Sequence, residues 1–321
     1  MTSIALIDAA ATRLDGHARV TPLLNAPLLD RIAGRRVFVK AECLQWTGSF
    51  KFRGGWSAVS ALPPGTKGVM AYSSGHHAQG VALAAHHPGL ECVILMPADA
   101  PAVKIANTRA YGAEVVLYDR ATEDRDAIGE NLAATRGLAL VKPFDDAQVI
   151  AGQGTVGLEI ARQATEAGIS AATVLTCCGG GGLTAGIALA LEDRAPQLVV
   201  RPCEPAGFDD TARSLVSGKR ERNAATTGSI CDAIVTPSPG EITFPILHRL
   251  CGPGLVVTDD EACRAVALAF HHLRIVLEPG GAVALAAALF RQDLPDTVIC
   301  TASGGNVDAA LFTDILTRFG A

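Results

Sequence analysis

The sequence predicts an α/β protein, with two open parallel-sheet domains and a ligand cleft between them. Three observations lead there. From residue 67 short apolar runs alternate with helix-periodic stretches, which implies parallel strands joined by crossover helices. A second such series begins near residue 153 and is completed by a strand-like run at 296–300. Glycine-rich turns stand where strands hand over to helices, the place where open parallel sheets bind ligands. Segment 67–146 is then a small domain inserted into a larger one made of 1–66 and 147–321. At 321 residues and 49% hydrophobic content the chain can bury two cores, and 33 glycines with 5% aromatic residues suit a compact α/β enzyme.

In order, 1–35 predicts an amphipathic helix, then Thr21-Pro22-Leu23 and a second short helix. A strand at 36–40 delivers the chain to the loop Gly48-Ser49-Phe50-Lys51, and 52–62 is helical up to Pro63-Pro64-Gly65. The small domain reads as strands at 68–72, 92–96, 114–118 and 139–141, with helices at 78–85, 101–111 and 122–136. The larger domain resumes with a helix from Gln153 to Ala167, then a strand at 172–176. The turn Gly179-Gly180-Gly181-Gly182, a helix at 183–192 and strands at 198–201 and 296–300 follow.

A formal net charge of −5, with no block of Lys or Arg, argues against nucleic acid and anionic membranes as partners. No apolar run is long enough to span a bilayer, and the N-terminus lacks the basic region of a signal peptide. The nine cysteines form no Cys-x-x-Cys pair and mostly sit in apolar segments. They read as buried thiols of a cytoplasmic protein, not a disulfide frame or a zinc site.

Lys51 stands out because Phe50, Phe52 and Trp56 surround it in sequence. An apolar setting disfavours the charged amine and so prepares it as a nucleophile or base. Four consecutive glycines between a buried strand and a helix let a phosphate approach the helix N-terminus closely. The same turn fits a relaxed dinucleotide pattern, G-x-G-x-x-A over 180–185 with Glu204 about twenty residues on, so an NAD-dependent oxidoreductase stays open. A non-catalytic amino-acid-binding regulator is a third reading. Ser73, Ser74 and Gly75, followed by His76 and His77, form a second strand-to-helix turn able to hold a carboxylate. Ser74 is also placed to act as an acid or base. Ser303 and Gly304 close the last strand with the same small-residue chemistry.

Six stretches combine: Ser49-Phe50-Lys51-Phe52-Arg53-Gly54, Ser73-Ser74-Gly75-x-His77-Ala78-Gln79, Ala151-Gly152-Gln153-Gly154-Thr155, the four glycines, Glu278-Pro279-x-Gly281 and Ser303-Gly304-Gly305-Asn306. Over nearly its whole length the chain resembles the fold type II pyridoxal-phosphate enzymes, in the serine/threonine dehydratase and serine racemase branch. The resemblance implies a tryptophan synthase β-like fold with pyridoxal 5'-phosphate between the domains, and a homodimer. Lys51 would be the Schiff-base lysine, with Phe50, His76, Glu278 and Gly304 beside the cofactor. Gly179, Gly180, Gly181 and Gly182 would hold its phosphate, and Ser303 would face its pyridine nitrogen. Ser73, Ser74, Gly75 and His77 would take the substrate carboxylate. Glu204, the Phe208 carbonyl and Asp210 fall where metal-binding members place their ligands, for Mg²⁺, Ca²⁺ or a monovalent cation.

The implied reaction removes water and ammonia from a small-molecule β-hydroxy-α-amino acid, leaving a 2-oxo acid. Threonine, serine and hydroxyaspartate dehydration, and serine racemisation, are the alternatives within the branch. The sequence departs from the branch at His76, where members usually carry asparagine. With Phe144 and Phe244 as candidate cleft residues, that departure points to L-threo-3-phenylserine, giving phenylpyruvate.

Overall fold

The computed structural model describes residues 2–73, 75–100, 102–119 and 121–320. Ser74, expected as an acid or base and carboxylate ligand, lies outside the described residues, as does Pro101. The chain opens with α1 (Ile4–Leu14), β1 (Leu23–Asn25), α2 (Pro27–Ala33), β2 (Arg36–Lys40) and α3 (Lys51–Ser60). There follow β3 (Gly68–Tyr72), α4 (His76–His86), β4 (Glu91–Pro97), α5 (Ala102–Ala110), β5 (Glu114–Tyr118), α6 (Arg125–Arg136) and β6 (Leu138–Leu140). The chain then runs through α7 (Ala147–Glu166), β7 (Ala172–Cys177), α8 (Gly182–Arg194), β8 (Leu198–Pro205), α9 (Asp210–Ser217) and α10 (Thr243–Leu250). It ends with β9 (Leu255–Val257), α11 (Asp259–Leu273), α12 (Pro279–Phe290), β10 (Thr297–Thr301) and α13 (Ala309–Phe319).

Two sheets result. The larger has the order β1-β2-β10-β7-β8-β9, parallel except for β1, which pairs antiparallel with β2 through Leu23 opposite Lys40. The smaller, β5-β4-β3-β6, is wholly parallel. Central strands covered on both faces read as continuous apolar runs, and β7 (Ala-Thr-Val-Leu-Thr-Cys) is buried at every position. One core lies under the larger sheet around α11 and α12, where α12 is buried along nearly its full length. A second core joins the smaller sheet to α3 and α4 through Phe52, Trp56, Val81 and Ile94. The helix that begins at Lys51 therefore packs against the smaller sheet. Among the described residues no helix is long and apolar enough to cross a membrane.

Helix α7 starts at Ala147, six residues before the predicted start at Gln153. Asp146 caps it, its Oδ1 accepting from the Gln148 and Val149 N–H groups at 2.8 and 3.0 Å. Gly152, Gly154 and Gly157, which look like helix breakers in sequence, are close-packing positions. A methyl group on Gly154 would sit 3.0 Å from the Gly186 carbonyl, and one on Gly186 would sit 2.5 Å from the Ile150 carbonyl. Helices α9, α10, α11, α12 and α13 and strand β9 are additions that the sequence reading did not assign.

Candidate active site

Strand β2 carries the chain to a tight turn just ahead of Lys51. Thr47 and Gly48 both take positive φ, 60° and 73°. The turn is stitched to the chain after β10: Gly305 N–H donates to the Gly48 carbonyl at 2.9 Å and Phe50 N–H to the Ser303 carbonyl at 3.2 Å. The Asn306 amide donates to the Thr47 carbonyl at 2.8 Å. Lys51 is thereby fixed opposite Ser303, although 252 positions separate them in sequence.

Two residues on, Arg53 is 1% exposed and forks onto two carboxylates. It donates to Glu42 at 2.8 and 2.8 Å, and to Glu159 at 2.7 and 3.0 Å. Lys40, fully buried, also reaches Glu159 at 2.5 Å. This network anchors α3 to β2 and α7 behind the lysine.

The Lys51 stem borders a cavity of about 410 Å³, within the size range of small-molecule sites. Lys51 is half-buried, and its Nζ donates to the Pro143 carbonyl at 2.6 Å. Burial pulls its pKa down from 10.5 to about 8. The cavity lies between the two sheets and is lined by Phe50, Ser73, Gly75, His76, His77, Gly179, Gly180, Gly181, Gly182, Glu278 and Ser303. Gly304 stands just behind the wall; a methyl group there would meet Glu278 Oε1 at 2.5 Å and His76 Cε1 at 3.0 Å.

The glycine turn meets the conditions for a phosphate. Gly181 takes φ 90° and caps α8, whose first N–H groups face the cavity end of the turn. The Gly180 carbonyl is turned away from that end, accepting from Thr243 Oγ1 at 2.7 Å and the Gly240 N–H at 3.2 Å. A side chain on Gly180 would run into the Phe144 ring. Phe144 lines the cavity, but this contact sets its ring against the turn. Phe244 is absent from the lining and pairs instead with His248, ring centroids 5.7 Å apart, so its expected place in the cleft is corrected.

His76 and His77 diverge, as neighbours on a helix must. His76 Nε2 lies 2.9 Å from Glu278 Oε1, close enough for an ion pair but out of line for a hydrogen bond. His77 Nε2 lies 2.8 Å from the Val141 carbonyl, while its buried Nδ1 has no partner. Burial, reinforced by Lys51, pushes its pKa down to about 3. The carbonyl fixes the proton on Nε2, so the ring offers the cavity a lone pair, not a donor. The ring is therefore no donor to a carboxylate, and the expectation for this turn rests on its backbone N–H groups. Ser73 Oγ accepts from the Gly75 N–H at 3.1 Å.

Lys104 and Arg125, which the sequence reading passed over, also line the cavity. Lys104 Nζ stands 3.7 Å from Asp232, and the Arg125 guanidinium lies 5.2 Å from the centre of the Tyr72 ring. One signal was available: Arg125 opens α6, where the helix dipole disfavours a cation.

Glu204 is completely buried, and its two oxygens accept from the Thr211 and Ala212 N–H groups at 2.9 and 2.7 Å. That removes it from the ribose role of the dinucleotide reading. Burial, then Asp210, pushes its pKa well up. Asp210 is raised to about 6, chiefly by burial; its Oδ1 accepts from Asn223 at 2.6 Å, and its buried Oδ2 has no partner. Among the described residues no group of three or more His, Cys, Asp and Glu side chains could hold a metal ion.

The pieces fit pyridoxal phosphate: an amine of depressed basicity, a glycine turn at a helix N-terminus, and a neutral hydroxyl, Ser303, in one cavity. Comparison with known proteins agrees. Residues 14–306 match the family model described as pyridoxal-phosphate dependent enzyme. An L-threo-3-hydroxyaspartate ammonia-lyase from Pseudomonas sp is 40% identical over 311 residues, covering 96% of each chain. The crystal structure of a T.th. threonine deaminase superposes with a TM-score of 0.91 at 44% identity, covering 95% of this chain and 99% of that one. Maize serine racemase superposes with a TM-score of 0.91 at 32% identity, covering 99% and 97%. With the lysine, the glycine turn and the fold in agreement, the chain belongs to the pyridoxal-phosphate dependent enzyme family, in its fold type II architecture.

Proposed function

We propose that the protein converts a β-hydroxy-α-amino acid into a 2-oxo acid and ammonia. The observation that carries this reading is Lys51, half-buried at the cavity with its amine pKa drawn down to about 8. When bound, pyridoxal phosphate supplies the electron sink that makes the substrate Cα proton acidic. Lys51 supplies the base that takes that proton onto Nζ, and the Pro143 carbonyl keeps Nζ oriented. The electrons of the Cα–H bond then expel the β-hydroxyl, which leaves with a proton as water. The enamine, once released, tautomerises to an imine, and one water hydrolyses it to the 2-oxo acid and ammonia. Ser303 contributes a neutral hydroxyl beside Lys51, not a carboxylate. Ammonia loss is also the chemistry named for the hydroxyaspartate relative, while serine racemase relatives make racemisation a side activity to measure.

The substrate side chain has two readings. The sequence expectation is the aryl group of L-threo-3-phenylserine, supported by Phe144 at the cavity wall. The second is a carboxylate, as in L-threo-3-hydroxyaspartate, favoured by Lys104 and Arg125 in the lining and by the position of Phe244 outside it. A panel of phenylserine, hydroxyaspartate, threonine and serine, read by ammonia release, separates them. We expect at least one of these β-hydroxy-α-amino acids to release ammonia at a rate that Lys51→Ala abolishes. No ammonia from any of the four would overturn the lyase reading.

A further inference from the structure

In the stretch Ala151-Gly152-Gln153-Gly154-Thr155 the residue with chemistry to offer the cavity is Gln153. It sits within α7, is completely buried, and lines the cavity. Neither its Oε1 nor its Nε2 has a hydrogen-bond partner in the protein. An amide carries two donors and an acceptor, and leaving both ends bare in the interior costs on the order of a few kcal/mol. Cores select against that unless a ligand supplies the missing partner.

The surroundings say which part of a ligand does so. One end of the amide faces the glycine turn: a methyl group on Gly182 would sit 2.6 Å from Oε1. The other end faces α3, where a methyl group on Gly54 would sit 3.1 Å from Nε2. Glycine at both places leaves room for the amide without bonding it. At the opposite end of the turn Thr236 Oγ1 is a second buried donor without a partner, and a methyl group on Gly179 would sit 3.3 Å from its Cγ2. The turn is thus flanked at its two ends by buried neutral polar groups without partners, the Gln153 amide and the Thr236 hydroxyl, and headed by the N-terminus of α8. That environment suits an anion carrying several acceptor oxygens.

We propose that Gln153 is a ligand of the cofactor phosphate, its amide NH₂ donating to a phosphate oxygen beside the backbone N–H groups of the glycine turn. The amide can present either end without changing shape, so the donor end can turn to the anion. The inference rests on the cofactor and not on which amino acid is converted, so it stands or falls separately from the ammonia assay.

Pyridoxal and pyridoxal phosphate share ring and aldehyde and differ only in the phosphate, which makes them the discriminating pair. Full-length apoenzyme, wild type and Gln153→Leu, is titrated with each and followed by absorbance. A hydrogen bond to a charged group corresponds to roughly a 10- to 100-fold change in affinity. We expect a loss of that size for pyridoxal phosphate, with pyridoxal unchanged within about twofold. Gln153→Glu, which sets a carboxylate against the phosphate, should lose more for the phosphate ester and again spare pyridoxal. The ³¹P resonance of bound cofactor should also move in Gln153→Asn, which keeps the amide and serves if the leucine variant does not fold. Equal losses for both ligands would show that the amide only shapes the wall and would overturn the proposal. So would unchanged affinities together with an unmoved ³¹P resonance.

Discussion

Lys51 is charged at a cost, and that cost is measurable without substrate. In the unfolded chain its amine titrates near 10.5; in the folded apoprotein burial brings it to about 8. Between these values the unfolded state binds more protons, so stability rises with pH across that window. Below pH 8 both states are protonated and the full penalty remains, up to about 3 kcal/mol from 1.36 kcal/mol per pKa unit. Lys51→Met apoprotein should therefore be more stable than wild-type apoprotein at pH 7, with the gap closing by pH 10.5. Urea unfolding at several pH values reads this directly, and a gap independent of pH would mean the amine is not desolvated in the fold. The desolvated setting of this residue was legible in sequence, because Phe50, Phe52 and Trp56 announce apolar surroundings. His77 was not, because its tautomer is set by a carbonyl 64 residues away, at Val141.

At the scale of elements, the contact between α7 and α8 shows how glycine can stabilise a helix pair that it weakens locally. Gly186 in α8 has Ile150 O and Gly154 N within 2.6 Å of where a methyl group would sit. Both are backbone atoms and cannot rotate aside. Alanine there would gain about 1 kcal/mol in helix propensity, yet overpacking typically costs about 1–3 kcal/mol, and more when backbone must shift. We expect Gly186→Ala to lower the midpoint of thermal unfolding, and Gly157→Ala, opposed by the Ala190 methyl group and the Ile187 backbone, to behave likewise. A rise for either would show that the helices can move apart freely. The same contacts explain what sequence periodicity misread. The helix expected from Gln153 begins at Ala147, and Gly152 and Gly154 lie inside it at close-packed positions. Helix α12 was missed for a related reason: Pro279-Gly280-Gly281-Ala282-Val283-Ala284-Leu285 is buried on all sides, so it has no polar face to reveal its period. By contrast α11 had legible signals, a capping box of Thr258 and Glu261 followed by an acidic first turn. The strand-to-helix turns of both sheets were plain in sequence because their chemistry is local; that Lys51 and Ser303 share one site was expected only through the family resemblance, because the fold alone brings them together.

For the whole molecule, the passage from the smaller sheet to the larger is concentrated in 143–146, and each residue there holds something different. The Pro143 carbonyl accepts from Lys51, and Phe144 packs against Gly180. Asp145 accepts from the Glu241 and Ile242 N–H groups at 3.1 and 2.8 Å, capping the approach to α10, while Asp146 caps α7. The two aspartates make the same kind of bond but in different company. Asp145 fixes the loop whose Gly240 N–H and Thr243 hydroxyl hold the Gly180 carbonyl, so it reaches the glycine turn. Asp146 supports only the helix that it begins. Replacing either with alanine should cost about 1 kcal/mol of stability, the usual value of a cap. Only Asp145→Ala should also weaken cofactor binding, by several-fold, because it frees the loop behind the turn to shift. Unfolding curves and cofactor titrations on the two variants separate the effects. Equal affinities in both would show that the turn keeps its shape without the Asp145 clasp.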